Sequence, residues 1–210
     1  MRLHVLVEGP SEAAFLKRWF PRFLPQHVLT VIPHRGKGRL PGPPDASPHP
    51  RREGLLDQLP AKLRAYGRVL DPATDRILVL LDLDDDDCLD LKRRMLAALD
   101  ACNPRPVVLF RIAIEEMEAF YLGDPAAIRR AFPQARLKRM KSYVQDSVCG
   151  TWELFKEVID VIVEDKPEWA EKMGAHLGTQ WSGRDANRSP SFQQFCRALL
   201  QLAGEGEPVD

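Results

Sequence analysis

Short apolar runs alternate with amphipathic stretches as far as Leu122, and then the short runs stop. Leu3 to Val7 predicts a buried strand, followed at once by Glu8-Gly9-Pro10-Ser11-Glu12. Gly-Pro ends the strand, and Gly9 or Ser11 can cap a helix that Pro10 helps to start. Ala14, Phe15, Trp19, Phe20 and Phe23 then recur at helical spacing, with Lys17, Arg18 and Arg22 between them. Val28 to Ile32 predicts a second strand, and Gly54 to Tyr66 a helix through Leu55, Leu56, Leu59 and Leu63. Ile77 to Leu81 is a continuous apolar run of the kind buried on both faces of a parallel sheet. It runs straight into Asp82-Leu83-Asp84-Asp85-Asp86-Asp87.

Cys88 to Ala101 predicts a helix with Leu89, Leu91, Met95, Leu96 and Leu99 inward and Lys92, Arg93 and Arg94 outward. Arg105 to Ile114 predicts a further strand. Glu115-Glu116-Met117-Glu118 closes it and opens a helix, with Glu115 and Glu118 on one face. Strands alternating with helices imply crossover units and a mostly parallel sheet flanked by helices, an α/β fold. After Asp124 only helices are expected, over Trp152 to Val163, Pro167 to Leu177 and a last one through Phe195, Leu199 and Leu202. The expected organisation is an α/β core over residues 1–125 and a C-terminal helical extension, 126–210, packed on it. Within the core, residues 34–53 are rich in Pro and Gly and are expected to form a mobile loop. Gly204 to Asp210 is expected to be a frayed tail.

Composition narrows the picture only a little. The 210 residues suffice for one sizeable domain, and 44% apolar content is ordinary for a globular protein. The formal net charge is zero, so any nucleic-acid contact has to come from a local patch. The densest basic stretch holds Arg129, Arg130, Arg136, Lys138, Arg139 and Lys141, and a solvated loop and helix face explains it more readily than a phosphate-tracking surface. Cys88, Cys102, Cys149 and Cys196 are widely spaced, which argues against a zinc site or a disulfide scaffold and for reduced, mostly buried thiols. His4, His27, His34, His49 and His176 have no metal-ligand spacing and read as structural or surface residues. With no apolar stretch of membrane-spanning length and no signal peptide visible, the expected location is the cytoplasm, away from any membrane.

The candidate chemistry lies at the strand ends. Three of them present acids: Glu8, then Asp82, Asp84 and Asp86, then Glu115 and Glu118. Open α/β sheets bind ligands at the carboxyl ends of their strands. Clustered carboxylates repel each other, and a hard divalent cation such as Mg²⁺, held by oxygen ligands, is one reason for them to coexist. A solvated acidic turn entering a helix is the alternative. Glu8 alone would also pass as an acid favouring a helix N-terminus. Gly36-Lys37-Gly38, with Arg39 beside it, suits a phosphate oxygen, although its spacing is not that of a Walker A loop and a basic surface loop explains it too.

Val7-Glu8-Gly9-Pro10-Ser11-Glu12-Ala13-Ala14-Phe15-Leu16 resembles the opening motif of Toprim domains in the overcoming-lysogenisation-defect nucleases. Leu81-Asp82-Leu83-Asp84 resembles their D-x-D strand end. The whole chain is similar to a widespread bacterial family catalogued as domain of unknown function 4276. That pattern includes Gly36-Lys37, Asp82-Leu83-Asp84 with Asp87-Cys88, Ile114 to Phe120 with Asp124, Lys166-Pro167, and Ser189-Pro190-Ser191-Phe192 with Phe195.

The Toprim resemblance implies acid/base work for Glu8 and Mg²⁺, with Mn²⁺ as a substitute, held by Glu8, Asp82 and Asp84. Asp86 and Glu118 are further candidates, with Asp85 and Asp87 as turn and helix-start acids. It implies cleavage of nucleic acid, DNA before RNA; the basic loop and basic stretch then offer Lys37, Arg39, Lys138 and Arg139 as candidate contacts. It also implies a separate ATPase acting in trans in phage or mobile-element defence, and leaves open a homodimer. The competing expectation is a Toprim-like module that binds without cutting.

Overall fold

The computed structural model describes residues 1–43, 45, 47, 51–84, 86–147 and 150–205. Asp85, His49, Cys149, the end of the tail and part of the 34–53 loop lie outside them. Four strands form the sheet: β1 (Arg2–Val7), β2 (Val28–Pro33), β3 (Asp75–Asp82) and β4 (Val108–Ala113). Their order is β2-β1-β3-β4, and every neighbouring pair is parallel. The fold is α/β, with a four-stranded, all-parallel sheet. β4 begins three residues later than the apolar pattern suggests.

Three helices connect the strands: α1 (Pro10–Phe23), α2 (Leu55–Val69) and α3 (Cys88–Asp100). Beyond β4 come α4 (Glu118–Leu122), α5 (Pro125–Ala131), a 3₁₀ turn (Leu137–Met140), α6 (Thr151–Ile159), α7 (Lys166–His176) and α8 (Pro190–Ala203). Alternation along the strands divides the core in two. Leu6, Ile77, Val79 and Leu81 face α2 and α3. Leu3, Val5, Val7, Leu78 and Leu80 face α1 and the helices from α4 to α8 in one continuous apolar cluster. Trp19 sits within it, 5.4 Å from the Phe192 ring and 5.8 Å from that of Phe195. The helices after residue 125 therefore share a core with the sheet.

Two local expectations are corrected. Leu89 is 79% exposed and Leu96 38%, so the inward face of α3 is carried by Leu91, Met95 and Leu99. Glu115 and Glu118 do not share a helical face, because Glu115 precedes α4 with a left-handed φ of 62°. Its carboxylate instead reaches the start of α6, accepting from Gly150 N at 2.7 Å and Thr151 N at 3.0 Å. Those amides are orphans at a helix N-terminus and need acceptors.

The described part of 34–53 contains no helix or strand, yet it is pinned at several points. Gly36 N donates to Glu8 O at 2.8 Å, and Leu40 is buried beneath Arg94, whose guanidinium donates to its carbonyl. Cys88, Cys102 and Cys196 are free thiols. Among the described residues no helix is long and apolar enough to cross a membrane.

Candidate functional site

With the order β2-β1-β3-β4, the chain leaves β1 toward one edge and returns to β3 on its other side. The sheet therefore has its topological switch point between β1 and β3, where loops diverge and leave a crevice at the carboxyl ends. Glu8 follows β1 and Asp82 ends β3, so the sequence places one acid on each lip. The two are joined: Glu8 Oε1 accepts the backbone N–H of Asp82 at 2.8 Å. Glu12, in the first turn of α1, turns back so that Gly9 N donates to its Oε2 at 2.9 Å. Glu118 opens α4 and is buried, and Glu116 precedes it, accepting Trp152 N at 3.0 Å.

The electrostatics of this crevice are those of crowded, poorly hydrated carboxylates. Burial pushes the Glu8 carboxyl up to about 7, with the charges of Glu12 and Asp84 adding to it and the Asp82 amide and Lys37 opposing. Burial likewise raises Glu118 to about 7, against the pull of Lys166 and with Glu116 and Glu12 adding. Asp82 is held well above the usual carboxylate range by burial and by Glu12, Glu8, Glu118 and Glu116. Glu12 and Glu116 are raised as well, chiefly by burial. A carboxyl poised near 7 can take or give a proton at neutral pH.

Two lysines flank the acids. Lys37 Nζ donates to Leu83 O at 2.6 Å and pairs with Asp84 Oδ2 at 3.1 Å and Asp86 Oδ2 at 2.7 Å. Burial works against its charge, but the hydrogen bonds to Asp86 and Asp84 outweigh that and raise its pKa. Lys166, at the start of α7, lies 4.3 Å from the centre of the Trp152 ring and 3.6 Å from Glu116 Oε1. The Tyr121 hydroxyl is buried without a hydrogen-bond partner among the described residues. The charges of Glu118, Glu12 and Asp82 act on it, so it lies near the same acids.

Glu8, Asp82 and Glu118 thus gather in one crevice. Asp84 and Asp86 stand at its exposed mouth with Lys37. Asp87 caps α3 by accepting Asp90 N at 2.7 Å. Arg39 is exposed beyond the mouth, its amide donating to Asp57 at 3.3 Å. Lys138 and Arg139 sit on the 3₁₀ turn, where Arg139 pairs with Asp160 at 2.9 Å and donates to Glu157 O. Glu116, Lys166 and Tyr121 enter the site without having been singled out for it. Glu116, within the Ile114 to Phe120 stretch of the family pattern, and Lys166, next to Pro167 in it, carried a signal; Tyr121 carried none.

The donor set is all oxygen and crowded, with lysines paired only to Asp84, Asp86 and Glu116 among its acids, which fits a hard divalent cation. The unpartnered, buried Tyr121 hydroxyl near these acids agrees with a missing polar ligand. As the side chains stand, no three acids among the described residues form a closed ligand set.

These features define an α/β protein whose parallel sheet carries an acidic crevice at its switch point. Within that class, the family model for a domain of unknown function, DUF4276, matches residues 7–200, and the chain belongs to this family. No curated protein and no solved structure matches it.

Proposed function

We propose that the chain is a Toprim-like, Mg²⁺-dependent nuclease that hydrolyses phosphodiester bonds in nucleic acid, DNA before RNA. In this proposal it is a cytoplasmic effector subunit that works with a separate ATPase in phage or mobile-element defence. The observation that carries the reading is the hydrogen bond from the Asp82 amide to the Glu8 carboxylate across the switch point, inside a crevice of buried, mutually repelling carboxylates.

Asp82, Asp84, Asp86 and Glu118, with one oxygen of Glu8, would hold Mg²⁺ or Mn²⁺, which supplies charge neutralisation at phosphate and a more acidic bound water. Glu8 is suited to move a proton at its carboxyl oxygen, because its pKa lies near neutrality. Lys37 is placed to meet a phosphate oxygen at the mouth once its carboxylates are otherwise engaged. The Tyr121 hydroxyl can orient a small polar ligand from below.

The test incubates the purified protein with plasmid, linear DNA and tRNA, in Mg²⁺ or Mn²⁺, with and without any neighbouring ATPase. Metal-dependent cleavage lost in Glu8→Ala and Asp82→Ala supports the proposal. Cleavage that survives both substitutions removes the site assignment.

A non-catalytic binding module is the second candidate, favoured by one observation: Lys37 already neutralises Asp84 and Asp86. It predicts no heat on titrating Mn²⁺ into the wild-type protein in calorimetry, whereas intact ligands would give saturable binding.

A further inference from the structure

Away from the acidic crevice, a cleft of about 460 Å³ opens where α4 ends, between the start of α5 and the loop before α8. Arg129, Arg184 and Arg188 line it. All three are exposed, and among the described residues none of their guanidiniums has a hydrogen-bond or ion-pair partner. Their neighbours behave differently. Arg130 donates to His176 O at 3.0 Å and Arg136 pairs with Asp160 at 2.9 Å.

One side of the cleft is fixed. Arg188 N donates to Gly123 O at 3.0 Å, and Asn187 Nδ2 to Phe120 O at 2.8 Å. A Cβ on Gly123 would strike the Asn187 amide, so glycine permits this approach. Asp124 also lines the cleft, but its carboxylate is engaged by Ala127 N at 2.9 Å and Gly178 N at 3.0 Å. Asp185 is the remaining acid in the lining. Three guanidiniums against the two acids Asp124 and Asp185 leave the lining cationic, which favours an anion. Planar guanidiniums bind phosphate oxygens in a bidentate manner.

We infer that the cleft bounded by Arg129, Arg184 and Arg188 is a phosphate-binding site, and that its phosphate belongs to a nucleic-acid strand. The site lies at the far end of α4 from Glu118, roughly 7–8 Å along the helix axis at 1.5 Å per residue. The strand assignment rests on the proposed nuclease reading, whereas phosphate binding in the cleft stands whether or not the crevice cleaves, since it is measured with the acids intact and no metal present.

The experiment uses the full chain in EDTA, a fluorescently labelled single-stranded DNA 12-mer read by anisotropy across a salt series, and inorganic phosphate read by melting temperature. Wild type is compared with Arg184→Ala/Arg188→Ala and with Arg184→Lys/Arg188→Lys, each checked for an unchanged melting temperature in the absence of ligand. We expect the alanine pair to lose about tenfold in strand affinity and to flatten the log–log salt slope by about 2. The lysine pair, keeping charge without the fork, should recover the slope and only part of the affinity. If phosphate raises the wild-type melting temperature, the alanine pair abolishes that rise and strand binding is untouched, the site takes free phosphate and the strand assignment is overturned. Identical strand and phosphate responses in all three proteins overturn the site itself.

Discussion

Glu8 Oε1 accepts the backbone N–H of Asp82 at 2.8 Å, so the acid that follows β1 is tied to the end of β3. The bond spans 74 residues of sequence and crosses the switch point of the sheet. It orients one carboxylate oxygen and leaves the other to the crevice, where burial and neighbouring acids hold its proton.

That arrangement sets a pH dependence of stability. Glu8 and Glu118 both rise from 4.5 to about 7 on folding. Between those values the folded chain keeps protons that the unfolded chain releases, so stability falls as pH rises through the window. In EDTA, the melting temperature should drop from about pH 5 to about pH 7.5, by a few degrees for each kcal/mol at this size. Glu8→Gln/Glu118→Gln should flatten the slope and raise the melting temperature at pH 8. An equally steep slope in the double variant would place the titrating groups elsewhere.

The mouth of the crevice makes a separate prediction. Lys37 is the cation held by Asp84 and Asp86, and it competes with any other cation for them. Lys37→Met should therefore tighten Mn²⁺ binding roughly two- to fivefold in calorimetry, within the ~1 kcal/mol of a half-exposed ion pair. Weaker Mn²⁺ binding in the variant would mean instead that Lys37 positions the carboxylates.

At the opposite end of the sheet, Asp75 is buried between Arg2, at 2.5 Å, and His4, at 2.7 Å. The His4 hydrogen bond, then those from Arg2 and Thr74, hold its carboxyl well below the usual range despite burial. Its stabilising contribution is complete above its ordinary value of 3.8 and fades as pH falls below it. Asp75→Asn should cost about 2 kcal/mol or more in urea denaturation at pH 7. A loss well below 1 kcal/mol would show the pairs to be solvent-screened.

Gly174 tests how closely α7 packs on α1. A Cβ there would lie 2.5 Å from Phe15 O and 3.0 Å from Arg18 Cβ. Alanine gains about 1 kcal/mol in helix propensity but overpacks by about 1–3 kcal/mol, and the clash is with backbone. Gly174→Ala should destabilise by up to about 2 kcal/mol by these figures, seen as a lower denaturation midpoint with an unchanged slope. A higher midpoint would show that the helices can separate at no cost.

What could be read from the chain alone was periodic or terminal. Short continuous apolar runs placed four strands and period-3.6 patterns their connecting helices, because a strand covered on both faces and a helix with one buried face demand those patterns. Acids directly after apolar runs marked Glu8 and Asp82, since a strand end is a fixed place relative to the sheet. Asp87 was legible as the start of α3 because an N-cap acts three residues away.

What the sequence did not show depended on partners far along the chain. Glu115 looks like a helix-face acid until Gly150 and Thr151 come within reach of it. Glu116, Lys166 and Tyr121 join the crevice only because α4, α6 and α7 pack on one face of the sheet. Leu89 looks inward by its pattern and is exposed, because α3 offers only part of its circumference to the sheet. The same limit hid the three arginines around Gly123, which come from segments more than fifty residues apart. Local spacing determines which face a side chain takes on its own element. Which other side chains it then meets is decided by the sheet order β2-β1-β3-β4 and by the helices that cover it.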